Sequence, residues 1–335
     1  MEEQKKQTYS RRHVMRRTGT FAAGLAMATA GGALAACGGA SGPSVGSAER
    51  PLRMAFTPSA DTQKILASGK PLADLLEKET GLKIETSVPT AYAPLIEAMG
   101  ASQVDVGWLA PFQYAVSRKK YGAEVILATV RAGSSTYPWQ VIVHADSGIK
   151  NLEELKGKRF AFGDPLSTSS YVFPAAHIRE KFNTDADKYF SQVQFAGGHD
   201  KVVIAVYNKQ MDGGATYGPN VGAPESDGRS RVLGTLPDVM AKVVRILEAD
   251  KIPNDTVSVR KGLPKDITDK VKNGLLKISK TDQGQKLLKD LYSIDGLSAA
   301  SPADYDPLIK KAELLKIDID VAAGIKPAPT ATKAP

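Results

Sequence analysis

Residues 158–182 read KRFAFGDPLSTSSYVFPAAHIREKF, a short strand turning into a helix. The strand spans Arg159–Gly163, Asp164-Pro165 ends it, and Ser167, Thr168 and Ser169 stand where a helix from Ser169 begins. Hydroxyl oxygens suit that place because they accept from the first free backbone N–H groups. The same helix end carries about half a positive charge and suits an anion. Three hydroxyls exceed what one cap requires. Two readings follow, an ordinary N-cap with spare serines and a seat for a tetrahedral oxyanion.

The rest of the chain repeats this grammar. Strands are expected at Leu52–Phe56, Lys83–Val88, Val104–Trp108, Glu124–Val130, Gln140–His144, Gln192–Phe195 and Met211–Thr216. Helices are expected at Pro71–Thr80, Ala91–Ser102, Pro111–Tyr121 and Asp200–Asn208. In Ala91–Ser102, Tyr92, Leu95, Ile96 and Met99 recur at helical spacing. Strands separated by crossover helices imply an α/β protein with mixed, mostly parallel sheets covered by helices. Three late helices, Pro264–Ser279, Asp282–Leu291 and Pro302–Leu314, change the rhythm. This suggests two lobes, one of residues 51–136 plus 257–322 and the other of 137–256, with crossings near Tyr137-Pro138 and Pro253–Thr256.

The N-terminus is an export pattern: Arg11-Arg12, an apolar run, then Leu34-Ala35-Ala36-Cys37. Arg11-Arg12 resembles a twin-arginine signal, and Leu-Ala-Ala-Cys resembles a bacterial lipobox in which Cys37 is lipidated. A plain secretory signal with a stray cysteine is the other reading. The expectation is a signal peptide over 1–36, a flexible tether over 37–50, a disordered tail over 323–335, and a monomer anchored by lipid to the outer face of a membrane. Cys37 is the only cysteine, so no disulfide framework exists. The chain holds 44 Lys+Arg and 36 Asp+Glu; six basic and two acidic residues precede Cys37, leaving +4 on the remainder. Without a concentrated basic stripe, nucleic acid is not an expected partner.

Ligands of open α/β sheets sit beyond the carboxyl ends of strands. The residues there are rich in hydroxyls and aromatics, in Thr57-Pro58-Ser59, Tyr92, Trp108, Ser167 to Ser169 and Tyr217, and nearly free of Lys, Arg and Glu. His199 follows Gly197-Gly198 and precedes Asp200, a good N-cap; it reads either as a structural hydrogen bonder or as a donor to an anion. Asp164, Ser167 and His199 can be imagined as a hydrolytic triad. However, the chain lacks a G-x-S-x-G elbow and any metal-ligand spacing, so no catalytic residue, metal or cofactor is expected.

Several segments together resemble one family: VDVGWLAPFQYA from Val104, LEELKGKRFAFGDPLSTSS from Leu152, GGHDKVVIAV from Gly197 and DKIPNDTVSVRKGLP from Asp250. They are similar, in order over roughly residues 52–300, to the phosphonate/phosphite/phosphate-type substrate-binding proteins of bacterial ABC importers. The resemblance implies a two-lobed type II periplasmic-binding fold that closes on its ligand and delivers it to an ABC importer permease. It also implies the ligand set: hydroxyls Ser167, Thr168 and Ser169, the imidazole of His199, Tyr92 and Tyr137, and the carboxylate of Asp255. Two departures stand out. Ser170 replaces the family's usual glycine, and Glu225 comes several residues late to meet a ligand ammonium, which argues against aminoethylphosphonate. A pocket of neutral donors with no basic side chain is expected, with Asp255 accepting a ligand P–OH proton and turning away sulfate-like anions. For Tyr92, Tyr137 and Asp255 the alternatives are core packing, hinge packing and a plain turn. Competing functions are a same-fold binder of another anion such as a sulfonate, and a phosphoester hydrolase.

Overall fold

The computed structural model describes residues 42–220, 223 and 227–318, with side chain 250 left aside. The stretch 1–36 expected as a signal peptide, Cys37, Glu225 and the expected tail at 323–335 lie outside the described residues.

Among the described residues eleven strands form two sheets. The first contains β1 (Leu52–Phe56), β2 (Ile84–Ser87), β3 (Val106–Leu109), β4 (Glu124–Val130), β10 (Thr256–Val259) and β11 (Gly296–Ser298), in the order β11-β4-β10-β3-β1-β2. The second contains β5 (Thr136–His144), β6 (Arg159–Phe162), β7 (Gln192–Phe195), β8 (Gly213–Tyr217) and β9 (Val243–Pro253), in the order β7-β6-β8-β5-β9. β1 pairs in parallel with β2 and β3, and β6 with β7 and β8. β10 lies antiparallel between β3 and β4, β11 opposes β4, and β5 opposes both β8 and β9. Most strands of each sheet therefore share one direction, and their carboxyl ends gather at one rim.

The helices are α1 (Thr62–Thr80), α2 (Tyr92–Gly100), α3 (Pro111–Tyr121), α4 (Phe173–Phe182), α5 (Ala186–Tyr189), α6 (His199–Tyr207), α7 (Val239–Lys242), α8 (Lys265–Ile278), α9 (Asp282–Tyr292) and α10 (Asp306–Leu314). α1 starts nine positions before the expected Pro71, which lies inside it. An internal proline forfeits one backbone bond. Here the Asp61 cap on Lys64 N–H and a buried face of Ile65, Leu72, Ala73 and Leu76 outweigh that loss. Part of the stretch 37–50, expected as a flexible tether, lies among the described residues and is packed. Val45 is buried against Leu82, and Gly46, at φ +88°, turns the chain so that its N–H meets Arg50 O at 2.7 Å and its carbonyl accepts from Lys83 N–H. A single apolar residue beside a left-handed glycine docks this stretch on the core.

The chain passes between the sheets twice, at 131–135 and at 254–255. Asn254 stitches the passages together: its N–H donates to Ser135 O, and its Nδ2 to Thr129 O and Ser134 O, each at 2.8–2.9 Å. Tyr305 Oη donates to Asn254 O at 3.0 Å. Among the described residues no helix is long and apolar enough to cross a membrane.

Candidate functional site

Ser167 is the N-cap of the hydroxyl run, its Oγ accepting from Ser170 N–H at 3.2 Å. The N–H groups of both Tyr171 and Val172 return to Ser167 O, at 3.1 and 3.0 Å, so the first turn is one residue wider than an α-turn. The leading Thr168 and Ser169 N–H groups have no helical acceptor, as at any helix start. Three further helices begin beside this one. Their N-caps are Ala91 for α2, Ala110 for α3 and Gly198 for α6, none of which carries a capping oxygen. Asp200, expected as the cap of α6, lies within its first turn.

The uncapped donors find partners across the cleft between the two sheets. Phe112 N–H, at the start of α3, donates to Thr168 Oγ1 at 2.9 Å. His199 N–H, opening α6, donates to Ser59 O at 3.0 Å. Tyr92 N–H, opening α2, reaches Asp164 Oδ2 at 3.4 Å. Gln113 braces the first-sheet side: Oε1 accepts from Ala110 N–H and the Thr57 hydroxyl, and Nε2 donates to Tyr92 O. Because Thr168 Oγ1 accepts from Phe112, its own proton remains free to donate to a ligand.

These helix starts border one cavity of about 40 Å³. That is room for about three water-sized spheres, the scale of one tetrahedral head group. All seven residues named from sequence border it: Tyr92, Tyr137, Ser167, Thr168, Ser169, His199 and Asp255. Ser169 shares a side-chain hydrogen bond with Tyr137, and His199 Nδ1 lies 2.8 Å from Thr216 Oγ1. If Nδ1 takes the threonine proton, Nε2–H is left as a donor.

The expected absence of basic side chains is wrong. Arg131 and Arg231 both border the cavity, as do Tyr217 and Tyr292. Arg131 Nη2 lies 2.5 Å from Asp255 Oδ2, and its Nε donates to Tyr292 O at 2.9 Å. Arg231 Nε donates to the Tyr217 hydroxyl at 2.9 Å. Neither arginine sits in a local motif. Arg131 follows β4 at a passage between sheets, and Arg231 lies in a short helical turn, Gly228–Val232, after β8.

Burial pushes the hydroxyls of Tyr92, Tyr137 and Tyr292 above the ordinary phenol value, and the Asp255 carboxylate adds to the effect in all three. They stay protonated and can donate. His199 is pushed down to about 3, first by burial and then by the charges of Arg231 and Arg131, so its imidazole is neutral. Burial raises Asp164, although its oxygens accept from the Leu166 and Tyr92 N–H groups. The lining thus combines neutral donors, two guanidinium groups and one carboxylate. Among the described residues no cluster of His, Cys, Asp or Glu is placed to hold a metal ion.

A family model described as the periplasmic substrate-binding protein of phosphonate ABC transporters matches residues 54–305. The phosphonates-binding periplasmic protein of Escherichia coli is 27% identical over 248 residues, covering 72% of this chain and 70% of that protein. The phosphate-import protein PhnD of Mycolicibacterium smegmatis is 29% identical over 249 residues, covering 71% and 75%. Among solved structures, a binding-protein component of an ABC phosphonate transporter from Pseudomonas aeruginosa is similar at TM-score 0.71 and 24% identity, over 84% of this chain and 89% of that one. PhnD1 of Prochlorococcus marinus, in complex with methylphosphonate, is similar at TM-score 0.69 and 16% identity, over 79% and 98%. These structural likenesses establish a type II periplasmic-binding fold.

Proposed function

Since this chain belongs to the phosphonate-binding periplasmic family of ABC transporter substrate-binding proteins, we propose that it captures a small phosphorus oxyanion, a phosphonate, phosphite or phosphate, and delivers it to an importer permease. The observation that carries this reading is the meeting of four helix starts and seven hydrogen-bonding residues around a cavity sized for one head group. The hydroxyls of Ser167 and Thr168, the backbone N–H of Ser169, whose own hydroxyl turns to Tyr137, and the Nε2–H of His199 donate to the oxyanion from one side, and the Tyr92 and Tyr137 hydroxyls from the other. Each such bond to a charged group contributes about 1.5–3 kcal/mol net, so six of them support micromolar or tighter binding after ordering costs. Asp255, neutralised by Arg131, is left with an oxygen to accept the proton of a ligand P–OH. Sulfate carries no such proton.

A binder is favoured over a hydrolase by what the imagined triad does. Asp164 accepts from backbone N–H groups, Ser167 Oγ caps Ser170, and His199 Nδ1 turns to Thr216. No relay connects them. The family is extracytoplasmic, and Cys37 at the end of Leu34-Ala35-Ala36 serves as its lipid anchor in this reading, with the folded part acting as a monomer. Calorimetry with phosphite, phosphate, methylphosphonate and sulfate tests the function. The expected result is binding of the phosphorus compounds at least tenfold tighter than sulfate. Equal binding of sulfate, or turnover of phosphoesters, overturns it.

A further inference from the structure

The cleft does not end at the head-group cavity. Beyond Arg231, which borders both spaces, lies a hollow of about 210 Å³, against about 40 Å³ for the cavity itself. The hollow lies between the same two sides. The first-sheet side gives Lys64, in the first turn of α1, and Asp290 and Ser293, at the end of α9. The second-sheet side gives Asp200, in the first turn of α6, and Ser230 and Arg231 of the turn Gly228–Val232. Arg231 is held at this border from both sides: Nε donates to the Tyr217 hydroxyl at 2.9 Å, and Nη1 reaches Leu291 O at 3.4 Å. A substituent on a head group seated in the cavity therefore has a roomier continuation of the cleft to enter.

Asp200 has an oxygen to spare there. Its Oδ1 is buried and accepts from no donor among the described residues. Gly198 makes room for that oxygen, since a Cβ on it would stand 2.7 Å away. A buried acceptor without a donor is unfavourable until one arrives. The other polar groups are better served: Lys286 holds Asp290 at 2.6 Å, and Ser230 Oγ donates to Asp227 O at 2.7 Å. The second hollow that adjoins the cavity, beside Tyr137, has no buried, unpartnered side-chain atom among the described residues that line it. Charges of both signs line the Asp200 hollow, Lys64 and Arg231 against Asp200 and Asp290. Such a lining suits an uncharged group able to donate and accept at once. A hydroxyl is that group: its proton goes to Asp200, and its oxygen accepts from Arg231 or Lys64.

Resting on the reading above that the cavity takes a phosphorus oxyanion, we propose that this hollow is a second subsite. It receives the hydroxyl-bearing arm of an organic phosphonate or phosphate monoester, and Asp200 is the acceptor for that hydroxyl.

Calorimetry on the full-length chain tests this with two pairs of ligands of matched shape. They are 2-hydroxyethylphosphonate against propylphosphonate, and 3-hydroxypropylphosphonate against butylphosphonate, with methylphosphonate as the head-group reference. At least one hydroxylated ligand is expected to bind about 10- to 100-fold tighter than its alkyl counterpart, the effect of one hydrogen bond to a charged group. Asp200→Ala is expected to close most of that gap while changing the Kd of methylphosphonate by less than about threefold. Asp200→Asn, which keeps an acceptor oxygen, retains part of the gap. Should Asp200→Ala fail to fold, the wild-type pairs alone decide. Equal binding within both pairs, or a gap that survives Asp200→Ala, overturns the subsite, and binding of methylphosphonate then leaves the capture function intact. Tighter binding of 2-aminoethylphosphonate than of either hydroxylated ligand, lost with Asp200→Ala, overturns the choice of a hydroxyl. Binding of no phosphorus compound overturns the capture function and the subsite with it.

Discussion

The two walls of the cavity are built on different principles. One is made of helix starts, where Ser167, Thr168, Ser169, Tyr92 and His199 owe their places to local turns and caps. The other is made of side chains reaching in from passages and loops: Arg131, Asp255, Arg231 and Tyr292. The first wall offers dipoles and neutral donors, which in the proposed reading hold an anion with no counter-charge to desolvate. The second offers formal charges whose effect depends on mutual compensation. Geometry is set by the first wall and charge preference by the second.

The sharpest way to break this division is Thr168→Val. It removes the donor that the proposed reading assigns to the ligand and also the acceptor that Phe112 N–H uses across the cleft. A loss of about 3 kcal/mol in ligand binding, roughly 100-fold in Kd by calorimetry, is expected for any oxyanion in the panel. A loss confined to one ligand would mean that the helix-start wall sets charge preference as well.

Arg131→Gln should act less strongly and in another way. Asp255 would keep its carboxylate in the cavity with no cation at 2.5 Å, facing the incoming anion. Kd should rise about tenfold. Both side chains of the pair keep some exposure, 13% and 24%, so the stability loss should stay near 1–2 kcal/mol, below that of a fully buried pair. Adding Asp255→Asn should recover at least half of each loss, because the uncompensated charge is then gone. If the double variant is as impaired as the sum of the single ones, the pair does not act as a unit.

The same division decides what could be read from sequence. The helix-start wall was legible because its signals are local: three hydroxyls after Asp164-Pro165, and Gly197-Gly198 before His199. Residues such as Ala91 and Ala110 gave a further hint that was available but unused, since a helix start without a capping oxygen leaves donors for another partner. Arg131 and Arg231 carry no local mark, and only the return of β10 between β3 and β4 brings Asp255 to Arg131, 124 positions away. The strand β9 was missed for a related reason. Its sequence VVRILEADKIP lacks clean alternation, and its place as the edge strand beside β5 comes from pairing. Pro71 misled because an N-terminal proline is the commoner helical use.

Ser170, where the resemblance led us to expect glycine, supplies the smallest effect on binding and a clean separation of scaffold from site. Its side chain is fully buried and does not line the cavity. Oγ accepts from Gly163 N–H at 2.6 Å and donates to Ala215 O at 2.5 Å, tying the loop after β6 to β8 behind the wall. Ser170→Gly deletes both bonds and frees the backbone of the wide turn, which should lower unfolding free energy by about 2–4 kcal/mol in denaturant titration. Kd should change by less than about threefold, because the donors facing the ligand remain those of Ser167, Thr168 and Ser169. A tenfold weaker Kd with unchanged stability would mean that the hydroxyl run extends to its fourth member.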